Sequence, residues 1–199
     1  MLSRYGILGL IRICLSYFYT KFFFRKARLI RLPIDIRNKS SIDFGENLTT
    51  GVGCRIEAFP LEHKVVLSFG NNVQLNDYVH ITAIKSVIIG NNVLMASKIY
   101  ISDSSHGSYA GDQFDSTPNS IPIDRPLFYK PVIIGDNVWL GESVSVLPGV
   151  SIGKGSIIGA NSVVSKSLPD YVIAVGSPAK AIKKFNFENG NWERISKLM

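Results

Sequence analysis

From Phe44 onward the chain repeats every six residues, and a fixed period constrains the fold more than any other feature it carries. Aliphatic or aromatic residues open the hexads at Phe44, Ile56, Phe69, Leu75, Ile81, Ile89, Met95 and Ile101. The series resumes at Ile134, Leu140, Val146, Ile152, Ile158 and Val164. With Thr50 included, fourteen of these fifteen positions are apolar in a chain that is 46% hydrophobic, so composition alone does not produce the pattern. The next residue is usually small, as at Gly45, Gly90, Gly135 and Gly159. Period six is not the 3.6 of a helix, and a sandwich or barrel would alternate and break every 8–12 residues or so.

The hexads also group in threes. GEN at 45–47, GNN at 70–72, GNN at 90–92 and GDN at 135–137 each sit in the opening hexad of a unit, and Gly and Asn tolerate the left-handed backbone of a tight corner. Five coils follow, at 44–61, 69–86, 89–106, 134–151 and 152–169, the last with GKG at the corner. Each coil has three short strands, and stacking neighbours fill the core. Cys54 falls where other units place valine and reads as a small buried hydrophobe. The sequence thus divides into an N-terminal arm (1–41), a repeat domain (42–169) and a C-terminal extension (170–199).

Charge separates the arm from the rest. Nine of the 22 Lys and Arg lie in residues 1–40 against one acid, Asp35, so the net +7 belongs to the arm. The repeat domain has no basic face interleaved with aromatics, which argues against nucleic acid. Two cysteines, Cys14 and Cys54, support neither a disulfide framework nor a thiolate zinc site and fit a reducing compartment. The stretch Tyr5–Phe24 is long enough to cross a membrane, but Arg12 near its middle costs about 3 kcal/mol there. No small-residue cleavage site follows, as a signal peptide would need. Two readings remain: a helical segment lying at a membrane surface, contact running through residues 1–31, or one packed on the body or a neighbouring subunit.

The repeat has one large interruption, residues 107–133, and His106 stands at its threshold in the run ISDSSHG. A long excursion from an economical solenoid is more often functional than decorative. Histidine is also the natural base for deprotonating a hydroxyl near neutral pH. Asp103 and Asp124 are both available to orient it. His63 lies in an inter-coil insert and reads as surface, whereas His80 closes a hexad one coil earlier and could line the same side as His106. At the C-terminal end, Lys166, Lys180, Lys183 and Lys184 concentrate positive charge suited to phosphate.

Hexads such as IGDNVW, LGESVS and IGKGSI resemble those of the hexapeptide-repeat acyltransferases. ISDSSHG, RPLFYKPVIIGDNVWLGESVSVLPGVSIG and AVGSPAKAIKK are similar to the maltose/galactoside acetyltransferase branch. The basic apolar N-terminus and the NWERI tail bring the chain nearer still to bacterial lipopolysaccharide O-acetyltransferases. The resemblance implies an all-β fold, a left-handed parallel β-helix of triangular cross-section. It also implies an acetyl-CoA-dependent O-acetyltransferase acting in the cytoplasm on a sugar of a surface glycan, with no metal, and a homotrimer with sites between subunits.

Within that resemblance His106 matches the general base and Asn76 the acceptor-contacting asparagine, with Asp103 and Asp124 as candidate acceptor-side carboxylates. Ala160, Ser165, Lys166, Lys180 and Lys183 match the cofactor positions, while Trp139 and Gly141 are by residue type suited to an extended pantetheine arm lying close to the coil edge. Glu142 departs from the pattern, since a serine that contacts cofactor often stands there. The scaffold hosts other chemistries. N-acetylation of an amino sugar, a zinc hydratase drawing on His63, His80 and His106, and a non-catalytic solenoid are the competing readings. No close histidine pair supports the hydratase.

Overall fold

The computed structural model describes residues 2–62 and 64–195. Short strands stack into three mostly parallel sheets, and the chain visits them in rotation. In the 69–86 coil, Leu67–Phe69 lies in one sheet, Gln74–Leu75 in the next and His80–Ala83 in the third, and the order recurs in each later coil. We call these the first, second and third faces of a left-handed β-helix. Hexad-opening residues point inward: Ile56, Ile81, Ile89, Met95, Ile101, Leu140, Val146 and Val164 are all buried. One aliphatic side chain per strand suffices because each rung covers the last.

The corners form as the triplets imply. Asn47, Asn72, Asn92 and Asn137 all adopt positive φ, between 55 and 59°. Their side chains form a ladder, each amide donating to the oxygen of the next at 3.1–3.2 Å. In the fifth coil Gly155 (φ 64°) takes the left-handed position, so GKG makes the same corner without the amide.

The sheets start earlier than the hexads suggest. Leu29 bridges Thr49 on the second face, and Ile34–Arg37 pairs in parallel with Cys54–Ala58 on the third. Residues 29–41, read from sequence as arm, therefore supply the first rung. They keep the six-residue step, at Ile30, Ile36 and Ile42, but lack the glycine–asparagine triplets that mark the later corners. The other end is also irregular. Val172–Val175 extends the second face, and Lys180–Asn186 and Asn191–Arg194 continue it antiparallel.

Helix α1 (Leu2–Phe23) lies against the first rung, with a non-helical residue at Gly6. Its fully buried groups are polar. Ser16 Oγ accepts from the Leu32 amide, Thr20 Oγ1 accepts from the Ile30 amide, and both hydroxyls donate back into the helix. Tyr19 packs on the core, but most of the helix's apolar side chains point away: Leu8, Phe18 and Phe22 are 70–77% exposed. By length and composition Tyr5–Phe23 could cross a membrane. The hydrogen bonds of Ser16 and Thr20 instead tie it alongside the solenoid. Lys39 secures its end by donating to the Phe23 carbonyl.

Candidate active site

Residues 107–133 are built around His106. Ser104–His106 pairs antiparallel with Leu127–Tyr129, so the excursion returns as a two-stranded ribbon. The Tyr109 hydroxyl donates to the His106 carbonyl at 2.7 Å and accepts from Arg125, whose other nitrogens bind Ser120. The backbone of His106 is thereby held while its side chain stays exposed. Beside it runs a groove of about 300 Å³ along the third face, lined by His106, Ser104, Tyr100, Thr82, His80 and Glu57 among others.

Neither sequence-assigned carboxylate reaches the His106 ring. Asp103 is completely buried, and its oxygens accept the backbone N–H groups of Ile84, Lys85 and Ser86 at 2.7–2.9 Å. It latches the corner of the preceding coil, so the acceptor-side role proposed for it from sequence is corrected to a structural one. Asp124 sits exposed in the turn Pro122–Asp124, and among the described residues its carboxylate makes no hydrogen bond or ion pair. His63 lies outside the described residues.

The groove does contain an oriented histidine, His80. Its Nε2 lies 2.9 Å from Oε2 of Glu57, with Thr82 Oγ1 within 3.1 Å of both. Glu57 is 1% exposed and also meets Arg37 at 2.7 Å and Arg55 at 2.8 Å. Burial pushes its pKa up, but hydrogen bonds from Arg55, His80 and Thr82 and the Arg55 charge outweigh that, and the carboxyl lies below its usual range. Sequence reading missed Glu57 because 23 residues separate it from His80. The available signal was coil register: Arg55 pairs with His80, and Glu57 with Thr82.

The cofactor candidates fall into two sets. Trp139 stands exposed on the second face, in a row through register partners Gln74, Leu94, Trp139, Ile157, Ile173 and Lys183. Lys180 follows on the same strand as Lys183. With strands about 4.8 Å apart, Trp139 and Lys183 are roughly 14 Å apart. That apolar strip ending in cations suits an extended pantetheine arm and its phosphates. Gly141 and Ala160 form the adjoining edge, where their backbones are so close that a Cβ on Gly141 would meet the Ala160 nitrogen.

Ser165 and Lys166, by contrast, follow Val163–Val164 at the edge between the third and first faces, the edge that also carries His106. In a three-sided solenoid this edge is opposite the second face. Asn76 follows Gln74–Leu75, at the edge between the second and third faces, where its side chain accepts from Gln74 at 3.4 Å. One chain therefore does not bring Asn76, His106 and the full cofactor set together. Glu142, at the edge beside Ala160, lies 3.9 Å from Lys98. Among the described residues no three His, Cys, Asp or Glu side chains are grouped to hold a metal ion.

Comparison with known proteins agrees with the fold: the chain belongs to the hexapeptide-repeat acyltransferases. The profile described as bacterial transferase hexapeptide (six repeats) matches residues 131–166. A protein of Escherichia coli K12 named as a lipopolysaccharide biosynthesis O-acetyl transferase, WbbJ, is 50% identical over 192 residues, 96% of each chain. The galactoside O-acetyltransferase of the same organism is 33% identical over 132 residues, 63% of this chain and 61% of its own. Among solved structures, the N-acyltransferase AntD of Bacillus cereus, in complex with coenzyme A and a dTDP-linked amino sugar, superposes with a TM-score of 0.67 at 22% identity. That match covers 83% of this chain and 84% of the other and supports the fold alone.

Proposed function

We propose that the protein transfers the acetyl group of acetyl-CoA to a hydroxyl of a sugar in a lipopolysaccharide or related surface-glycan precursor. The end-to-end 50% identity to the Escherichia coli protein carries this reading. The exposed His106 at the lip of a groove gives it a chemical centre. The His106 imidazole takes the proton of the acceptor hydroxyl as its oxygen attacks the thioester carbonyl. The C–S bond breaks, and the proton leaves on the coenzyme A thiol. No acyl-enzyme is needed, since a hydroxyl activated at the moment of attack reacts directly.

The two separated cofactor sets favour an assembly of identical chains, a homotrimer in our reading. The Trp139–Lys183 face of one copy would then stand against the His106–Lys166 edge of the next, and Asn76 would enter the acceptor site in the same way. The outward apolar face of α1 supports contact with the inner surface of the cytoplasmic membrane, where a lipid-linked acceptor and cytosolic acetyl-CoA meet.

Calorimetric titration with acetyl-CoA is the first test, because it does not require the acceptor. Saturable binding is expected for the wild type and for His106→Ala, with acetyl transfer in the variant lowered at least ~100-fold. Absence of binding, or full turnover by His106→Ala, would overturn the assignment.

A further inference from the structure

We infer that His80, oriented by buried Glu57, is an acceptor-binding residue whose Nδ1 takes a sugar hydroxyl while the Tyr100 ring lies against the sugar. The inference rests on the reading of this groove as the acceptor site, and adds to it His80, one coil before His106 on the same side of the solenoid. Two observations separate it from simple burial of a histidine.

First, Glu57 does not need His80. The carboxylate already receives Arg37 at 2.7 Å, Arg55 at 2.8 Å and the Thr82 hydroxyl at 3.1 Å. An imidazole added to a satisfied carboxylate is better understood as the group being held than as the group doing the holding. Second, the burial is uneven. The His80 side chain is 32% exposed beside a carboxylate whose side chain is 2% exposed, so the pair runs from the interior into the groove.

The hydrogen bonds then fix the chemistry. An ionised carboxylate only accepts, so His80 Nε2 carries the proton that joins it to Glu57. In the neutral ring this leaves the lone pair on Nδ1, which makes no hydrogen bond among the described residues. A fixed lone pair in a groove suits a hydroxyl donor. Tyr100 occupies the next rung in register with His80, its ring centroid 5.4 Å from the imidazole and its side chain partly exposed. An aromatic face beside a hydrogen-bond acceptor matches the two sides of a pyranose, with its apolar C–H face and its hydroxyl rim. His106 makes no such carboxylate contact among the described residues and keeps the role of base. The groove therefore divides its work between two imidazoles, one to move the proton and one to hold the sugar.

Nitrogen-15 NMR of the imidazoles in the full-length protein tests this directly, with only three histidines to assign. The free protein should show His80 as the Nε2–H tautomer. Addition of methyl glycosides of galactose, glucose, rhamnose and N-acetylglucosamine at millimolar concentration should shift the His80 Nδ1 signal saturably with at least one of them. In turnover with the shifting glycoside, His80→Phe should raise the acceptor KM about tenfold, the size of one lost hydrogen bond, with kcat and the acetyl-CoA KM within about twofold.

An Nδ1–H tautomer, a His80 signal unmoved by all four glycosides, or an unchanged acceptor KM would overturn the inference. So would loss of kcat at constant KM, which would make His80 the base. The NMR arm needs neither folding of the variant nor turnover. If the wild type shifts with sugar yet never consumes acetyl-CoA, the acetyl-transfer reading fails while the sugar site stands.

Discussion

The solenoid and helix α1 handle water in opposite ways. In the solenoid, the hexad-opening Ile81, Ile101 and Leu140 are completely hidden, and neighbouring polar residues such as Asn72, Asn92 and Asn137 line its exposed corners. In the helix, Ser16 and Thr20 are hidden, while Leu8, Phe18 and Phe22 face out. The solenoid is held by burial of its own apolar side chains. The helix is fastened to it chiefly by hydrogen bonds to the Ile30 and Leu32 amides and by the Phe24 ring, which packs edge-on against Phe44 at 5.1 Å. An element attached through its polar side leaves its apolar side for something outside the chain, and the single apolar-rich arm of a repeat protein is where that something would bind.

Substitutions in the two regions should rank accordingly. Leu140→Ala, which empties a rung at the centre of the stack, should cost about 2–5 kcal/mol in a denaturant titration. A loss below 1 kcal/mol would mean that the rungs collapse around the gap and are less rigid than their burial implies. Thr20→Val keeps the shape but leaves the Ile30 amide without its acceptor, a cost of about 1–3 kcal/mol.

The buried carboxylate Glu57 is read by pH. Its folded pKa is depressed, so its stabilisation is complete above the unfolded value of about 4.3 and is lost as pH falls through the lower folded value. Urea melts of Glu57→Gln should therefore show a shallower acid decline below about pH 4.3 than the wild type. Parallel acid limbs would show that Glu57 is not held in its charged form.

Leu8→Ser with Phe18→Ser should change stability by no more than about 0.5 kcal/mol each and yet remove co-sedimentation with anionic vesicles. A large stability loss would instead place that face against another copy of the chain.

The repeat and its corners were legible because each inward hexad position and each left-handed asparagine makes the same local demand on residue type, coil after coil. The first rung was not, since Ile30, Ile36 and Ile42 keep the six-residue step while no glycine–asparagine triplet marks a corner among them. His106 could be singled out by its place beside the excursion. The roles of Asp103 and Glu57 could not, because each is set by groups from another rung: three amides at 84–86 for one, Arg37 and His80 for the other. Sequence supplies the pitch of such a helix, but insertions of unequal length between coils decide which polar residues stand side by side. Here the step from Arg55 to His80 is 25 residues and that from His80 to Tyr100 is 20.

A stack of parallel strands ends, at both limits, in a rung with unused amides and carbonyls, which is a template for adding another molecule and so for growth into fibres. At the first rung, α1 spends two hydroxyls on the Ile30 and Leu32 amides. At the other end of the second face the chain doubles back so that the outermost strand is Asn191–Arg194, antiparallel and carrying Glu193 and Arg194 in place of an aliphatic row. The two least regular pieces of the sequence thus cover part of each end of its most regular one, which makes those ends poorer templates for growth.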